Sequence, residues 1–210
     1  LPQREQDAII ELANSSAVIG VPEGSVAGRT CVTTGFRAPH ADASHIPYVV
    51  SEAWKAPTSG GSTGRPKLIV SGDPASFDET LPPPLLMDPG GCLVMPGPLY
   101  HNGPAVWSCQ ALLHGLHVAL LPKFDAAETL ATIEKYKGTV LYMVPTMMKR
   151  ILRLPDEERL SFDLSSLRVV WHLAEPCPEW LKLAWIEWLG AERIFELYVG
   201  TEAQTATIIT

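Results

Sequence analysis

The chain has 210 residues, enough for one large domain or two small ones, and 46% of them are hydrophobic against 19% charged, which excludes a disordered polymer. The net charge of -7, with no stretch that gathers Lys and Arg, argues against a nucleic-acid partner. The four cysteines, Cys31, Cys92, Cys109 and Cys177, form no C-x-x-C pair, so they read as reduced thiols of a soluble, cytoplasmic protein rather than as metal ligands or a disulfide framework.

Residues 4–14 predict a helix, with Ala8, Ile9, Leu12 and Ala13 on one face. The apolar run 17–21, ended by Pro22 and Gly24, predicts a buried strand. Residues 22–56 mix Gly, Pro and Thr and predict short strands among loops. A boundary is expected near 51–57, dividing a partial N-terminal subdomain, 1–56, from an α/β subdomain, 57–210. Residues 68–71 are β-like, and the proline- and glycine-rich stretch 72–91 predicts a surface excursion with room for a short helix. Strands are predicted at 92–96, 117–121, 139–144, 167–173 and 194–198, the last clear one. Helices are predicted at 104–114, 126–137, from Pro145 through Leu154, and at 178–189. Asp125 and Glu128 have the spacing of a capping box for the 126–137 helix, which is expected to bury Ala127, Leu130, Ile133 and Tyr136. Leu181, Ala184, Trp185 and Trp188 form a stripe on the last helix, and the tryptophans at 180, 185 and 188 read as core. The alternation of apolar and amphipathic runs predicts an α/β fold, parallel-sheet layers with flanking helices. No apolar stretch reaches the ~20 residues of a membrane-spanning helix.

The most informative segment runs Thr58-Ser59-Gly60-Gly61-Ser62-Thr63-Gly64-Arg65-Pro66-Lys67. Its glycines let backbone N–H groups converge on one point, its hydroxyls add donors and Lys67 adds a full charge, which together suit a phosphate. It is not a Walker A loop, because Pro66 precedes Lys67 and Leu68 follows it. The bland alternative is a Gly/Ser linker, but a linker does not require Pro-Lys leading into a β-like run.

This loop resembles the phosphate-binding loop of the adenylate-forming superfamily, and two further segments follow in that family's order. Pro98-Leu99-Tyr100-His101-Asn102-Gly103-Pro104 resembles the segment in which a histidine or aromatic residue lines the acyl pocket. Glu196-Leu197-Tyr198-Val199-Gly200-Thr201-Glu202 resembles the Y-G-x-T-E segment, with Val199 where the family usually has a small residue. Leu173-Ala174-Glu175-Pro176 is a weaker match to a turn that contacts adenine, with Glu175 in place of a small or polar residue. The runs 171–190 and 196–204 together are closest to the bile-acid–coenzyme A ligase-like group.

The resemblance implies part of the large N-terminal domain of an AMP-forming acyl-CoA synthetase. It implies ATP, Mg²⁺ and coenzyme A as cofactors and co-substrates, and a small-molecule carboxylic acid as substrate. Residues 58–64 and Lys67 would hold the outer phosphates, and Tyr198 and the 174–176 turn would flank adenine. Thr201 would meet the α-phosphate, Glu202 would bind Mg²⁺, and His101 would border the acyl group. No segment matches the ribose-binding aspartate or the lid with its catalytic lysine, so these 210 residues are expected to be inactive alone. An amino-acid adenylation domain and a non-catalytic nucleotide-binding segment are the alternatives.

Overall fold

A computed structural model describes residues 3–37, 43–59, 67–201 and 206–209. These form two units, Leu1–Ser76 and Phe77–Thr210.

In the first unit, helix α1 (Gln3–Ala13) is followed by a two-stranded parallel sheet of β1 (Ala17–Ile19) and β2 (Thr30–Val32). β1 falls where a buried strand is expected, yet Ile19 is 80% exposed. Its one partner in that small sheet leaves it without covering layers. α1 likewise buries no residue. After a short 3-10 turn at Ala43–His45, β3 (Thr58–Ser59) and β4 (Lys67–Leu68) pair antiparallel. The pairing extends beyond them. Ile69 N–H donates to Pro57 O, Ser71 N–H to Lys55 O, Trp54 N–H to Asp73 O and Ala75 N–H to Ser51 O. Segments 51–59 and 67–75 are therefore two arms of one hairpin, and both belong to the first unit, whereas the sequence reading sets a boundary ahead of the loop.

The second unit is built on a six-stranded sheet in the order β10-β9-β8-β7-β5-β6. β5 (Cys92–Met95), β6 (His117–Leu120), β7 (Val140–Met143), β8 (Val169–Leu173) and β9 (Ile194–Val199) are all parallel. β10 (Ala206–Ile209) runs antiparallel to β9 at the edge. Every residue of β5, β7 and β8 is buried, as expected for central strands covered on both faces.

Alternate side chains feed two cores. Leu93, Met95, Val140, Tyr142, Val169, Trp171, Leu173 and Leu197 pack with Trp107 and Ala111 of α2 (Asn102–Leu113). Val94, Leu141, Met143, Val170 and Ile194 pack on the opposite face. There they meet Leu130 and Ile133 of α3 (Ala126–Tyr136), Met148 and Ile151 of α4 (Pro145–Leu152), and Leu181, Trp185 and Leu189 of α6 (Glu179–Leu189). A short helix, α5 (Asp156–Arg159), lies between α4 and β8.

Four expectations are corrected. The stretch 77–91 contains no helix and is not wholly superficial. Met87 is buried there, and the Trp171 indole N–H donates to Leu85 O at 2.9 Å. Tyr136 is 42% exposed, because it lies in the last turn of α3, its ring edge-on to His117 of the edge strand. Trp180 is 53% exposed, one residue off the Leu181–Trp185–Leu189 stripe, with Lys149 Nζ over its ring. Trp188 is half-buried rather than core, its ring covered by the Arg159 guanidinium. The capping of α3 agrees with the sequence. Glu128 N–H donates to Asp125 Oδ1 at 2.9 Å, and the helix ends on Lys137 in the left-handed conformation.

Candidate active site

In an open parallel α/β sheet, ligands bind beyond the carboxyl ends of the strands where the strand order reverses. That point lies between β5 and β7. From β5 the chain crosses by α2 to β6 on one side, and from β7 it crosses by α4 and α5 to β8 on the other. The residues just past these strand ends are 96–101, Val144–Thr146, 174–178 and 200–201. Three of the four segments were singled out in the sequence.

His101 occupies the N-cap position of α2, exposed, with its ring 4.5 Å from that of Tyr100 and no side-chain cap bond. Its carbonyl accepts from Ala105 N–H, so it starts the helix with its backbone and leaves the imidazole outward. Gly103, in the first turn, lets α2 lie against the sheet. A Cβ there would fall on the Tyr142 hydroxyl. Pro104 sits in the first turn, where a missing N–H costs no helical bond.

The 174–176 turn is exposed and left-handed at Ala174, φ +72°. An L-residue rarely adopts this conformation, and glycine is the usual occupant. Glu175 has a structural task that the sequence did not reveal. α4 begins with Val144 at its N-cap, which has no capping side chain, and with Pro145, which has no N–H. Glu175 Oε2 supplies the cap from 29 residues away, accepting from Thr146 N–H at 3.1 Å and from Thr146 Oγ1 at 2.7 Å. The carboxylate therefore ties the turn after β8 to the helix after β7, and it rests at the positive end of the helix dipole.

Tyr198 is 78% exposed near the end of β9, where it pairs with Thr207 of β10. Its ring is free to offer a face to a planar group. Val199 extends β9 and packs against the α2-side core. A β-branched residue suits that extended position. Thr201 is half-buried in the turn that follows. Beneath these segments, His172 of β8 is fully buried, and Glu196 of β9 stands opposite it in register and is bonded to Lys182 of α6. Nothing in the motif reading pointed to this group.

Thr58, Ser59 and Lys67 lie on the paired arms of the first unit, with Ser59 opposite Lys67. Gly60, Gly61, Ser62, Thr63 and Gly64 lie outside the described residues, as does Glu202. The hairpin brings the two ends of the glycine-rich segment side by side, a constraint that a simple linker would not need. Among the described residues no three His, Cys, Asp or Glu side chains cluster to hold a metal ion. A Mg²⁺ carried on nucleotide phosphates needs only one or two protein carboxylates, the role that the resemblance gives Glu202. Among the described residues no helix is long and apolar enough to cross a membrane.

Comparison with known proteins gives this arrangement a class. The profile of the AMP-binding enzyme family matches residues 56–210, and the chain belongs to that family. It is 34% identical over 119 residues to the mouse medium-chain acyl-CoA ligase ACSF2, mitochondrial, covering 56% of this chain and 19% of the relative. It is 30% identical over 174 residues to rice (Oryza sativa subsp. japonica) 4-coumarate–CoA ligase 2, covering 76% of this chain and 29% of the relative. The chain thus spans less than a third of the length of these relatives. Among solved structures, O-succinylbenzoate coenzyme A synthetase from Bacillus subtilis, in complex with AMP, superimposes with a TM-score of 0.75 at 16% identity, over 100% of this chain and 44% of that one. The amide bond synthetase McbA from Marinactinospora thermotolerans superimposes with a TM-score of 0.70 at 24% identity, over 95% and 43%. At these identities the likeness shows the shared fold.

Proposed function

We propose that these residues supply the nucleotide- and acyl-binding part of an AMP-forming carboxylate–CoA ligase. The observation that carries the reading is the gathering of the 98–104, 174–176 and 198–201 segments at the outgoing strand ends of one sheet, around its switch point. In the reaction, the carboxylate of an organic acid attacks the α-phosphorus of ATP and pyrophosphate leaves. The thiolate of coenzyme A then attacks the acyl carbon, forming the thioester and releasing AMP. Little of this needs protein-borne nucleophiles; positioning and charge neutralisation supply the acceleration.

In this reading Lys67 and the 58–64 loop take the outer phosphates, and Thr201 donates its hydroxyl to the α-phosphate. The 174–176 turn and Tyr198 enclose the adenine, and His101 borders the acyl group. Glu202 would hold Mg²⁺, which neutralises phosphate charge when bound. The ligases with which the chain aligns act through coenzyme A, as their names state, and they favour coenzyme A over a carrier protein as acceptor. The resemblance of residues 171–190 and 196–204 to the bile-acid–CoA ligase-like group makes steroid carboxylates the first acids to test. A reducing cytoplasmic compartment suits the four free thiols.

The deciding experiment is a calorimetric titration of the 210-residue chain with ATP·Mg²⁺. Binding is expected, without steady pyrophosphate release. Thr201→Val should weaken it about fivefold, the loss of one hydrogen bond of about 1 kcal/mol. Absence of binding, or binding indifferent to both Thr201→Val and Lys67→Ala, would refute the assignment.

A further inference from the structure

β8 buries a histidine for which the nucleotide reading has no use. His172 has no exposed surface, and neither ring nitrogen has a hydrogen-bond partner. An imidazole carries at least one N–H, and leaving a buried donor unpaired is unfavourable. An acceptor just out of reach stands on the neighbouring strand. His172 and Glu196 are register partners, and His172 Nε2 lies 4.0 Å from Glu196 Oε2. That is about 1 Å beyond an ordinary hydrogen bond. The same oxygen accepts from Lys182 Nζ of α6 at 2.9 Å. Glu196 therefore stands between the Lys182 side chain and a ring that becomes a cation only on taking up a proton.

Burial holds the imidazole below its usual range; Glu196 pulls in the opposite direction, and Lys182 adds to the depression. On the other side β7 presents Met143, and α4 turns Met148 and Ile151 into the same layer. The Cys177 thiol, beyond the turn after β8, is pushed up by burial and by the same Glu196. The charged groups acting on the ring are thus Glu196 from β9 and Lys182 from α6.

We propose that His172 is a positioning residue worked by a proton: as imidazolium it draws the Glu196 carboxylate away from Lys182 and ties β8 directly to β9, and as a neutral ring it leaves Glu196 to α6. Ala174 follows two residues after His172, and Tyr198 two residues after Glu196. The exchange is therefore delivered to the spacing between the 174–176 turn and the 198–201 segment. Its effect on a nucleotide rests on the function proposed above; the exchange itself does not.

The test is a histidine-ring titration by NMR on the 210-residue chain, with His172→Gln used to identify the signal. Glu196→Gln keeps the shape and removes the charge, and Lys182→Met keeps the stem. The His172 midpoint is expected to fall in the first and rise in the second, each by about threefold or more in proton affinity. Midpoints that stay put, or that move in the same direction, would overturn the proposal. A parallel calorimetric titration with ATP·Mg²⁺ at two pH values bracketing the wild-type midpoint should show affinity that changes across it, with the change lost in Glu196→Gln. If the ring responds as expected and no nucleotide binds at either pH, the proton exchange stands and the nucleotide reading falls. If the ring responds and nucleotide binds equally at both, delivery to the ligand segments is refuted.

Discussion

Replacing Glu175 by alanine would remove the only side chain among the described residues that caps α4. With Val144 and Pro145 unable to help, the first backbone donor of the helix, Thr146 N–H, depends on a carboxylate from the turn beyond β8. Loss of an N-cap acceptor costs about 1 kcal/mol. Loss of a negative charge at the helix start adds about 0.3 kcal/mol for so exposed a group. The Thr146 hydroxyl, at 2.7 Å, also loses its partner but can turn to water. The expected total is about 1–1.5 kcal/mol, a fall in Tm of about 2–5 °C for a chain of this size. Glu175→Gln, which keeps an acceptor and drops the charge, should cost under about half of that. Urea denaturation of Glu175→Ala, Thr146→Val and the double variant gives the coupling, expected at about 0.5–1 kcal/mol. Additivity within about 0.3 kcal/mol would mean that the hydroxyl contact adds nothing, and a loss below about 0.3 kcal/mol in Glu175→Ala itself, whose Thr146 N–H donor is kept, would refute the long-range cap.

Two other outcomes are expected. Ala174→Gly should stabilise the chain by about 0.5–1 kcal/mol, since it relieves a left-handed alanine that costs more than glycine's extra freedom in the unfolded state; a lower urea midpoint would contradict the φ of +72°. His172 is held below its unfolded value of 6.5, so below that pH the unfolded chain binds the proton that the native state resists. Its contribution is complete above about pH 6.5 and declines as pH falls toward the native value. Thermal melts from pH 8 to pH 5 should therefore show a loss that His172→Gln flattens, and an unchanged slope would exclude the histidine as its source.

The parallel plan was legible because the runs 92–96, 139–144 and 167–173 are apolar but for Thr139, Arg168 and His172, the pattern of strands covered on both faces, and because helical stripes separate them. The order of the strands was not. Nothing local says that β6 lies outside β5 while β7 lies inside it, yet that reversal makes the crevice. β10 was missed because six residues separate it in sequence from β9, with no two-residue hairpin signature between them. Motifs singled out His101, the 174–176 turn, Tyr198 and Thr201, all of which fall at or just past the outgoing strand ends, since each carries recognisable chemistry at a fixed spacing. They could not find the Glu175–Thr146 tie or the Lys182–Glu196 bond, which join residues 29 and 14 apart in sequence. Ile19 and Trp180 misled for one reason: apolar character was taken as burial where no layer covers the residue.

Trp171 and His172 are neighbours in the chain and strangers in space. The indole needs the carbonyl of Leu85, while the imidazole lies beside the charge pair of Glu196 and Lys182. A slip of β8 by a single residue would present a tryptophan to ions and a histidine to an apolar wall. The alignment of the central strand is thus guarded by chemical incompatibility on both sides as well as by the shapes of its side chains.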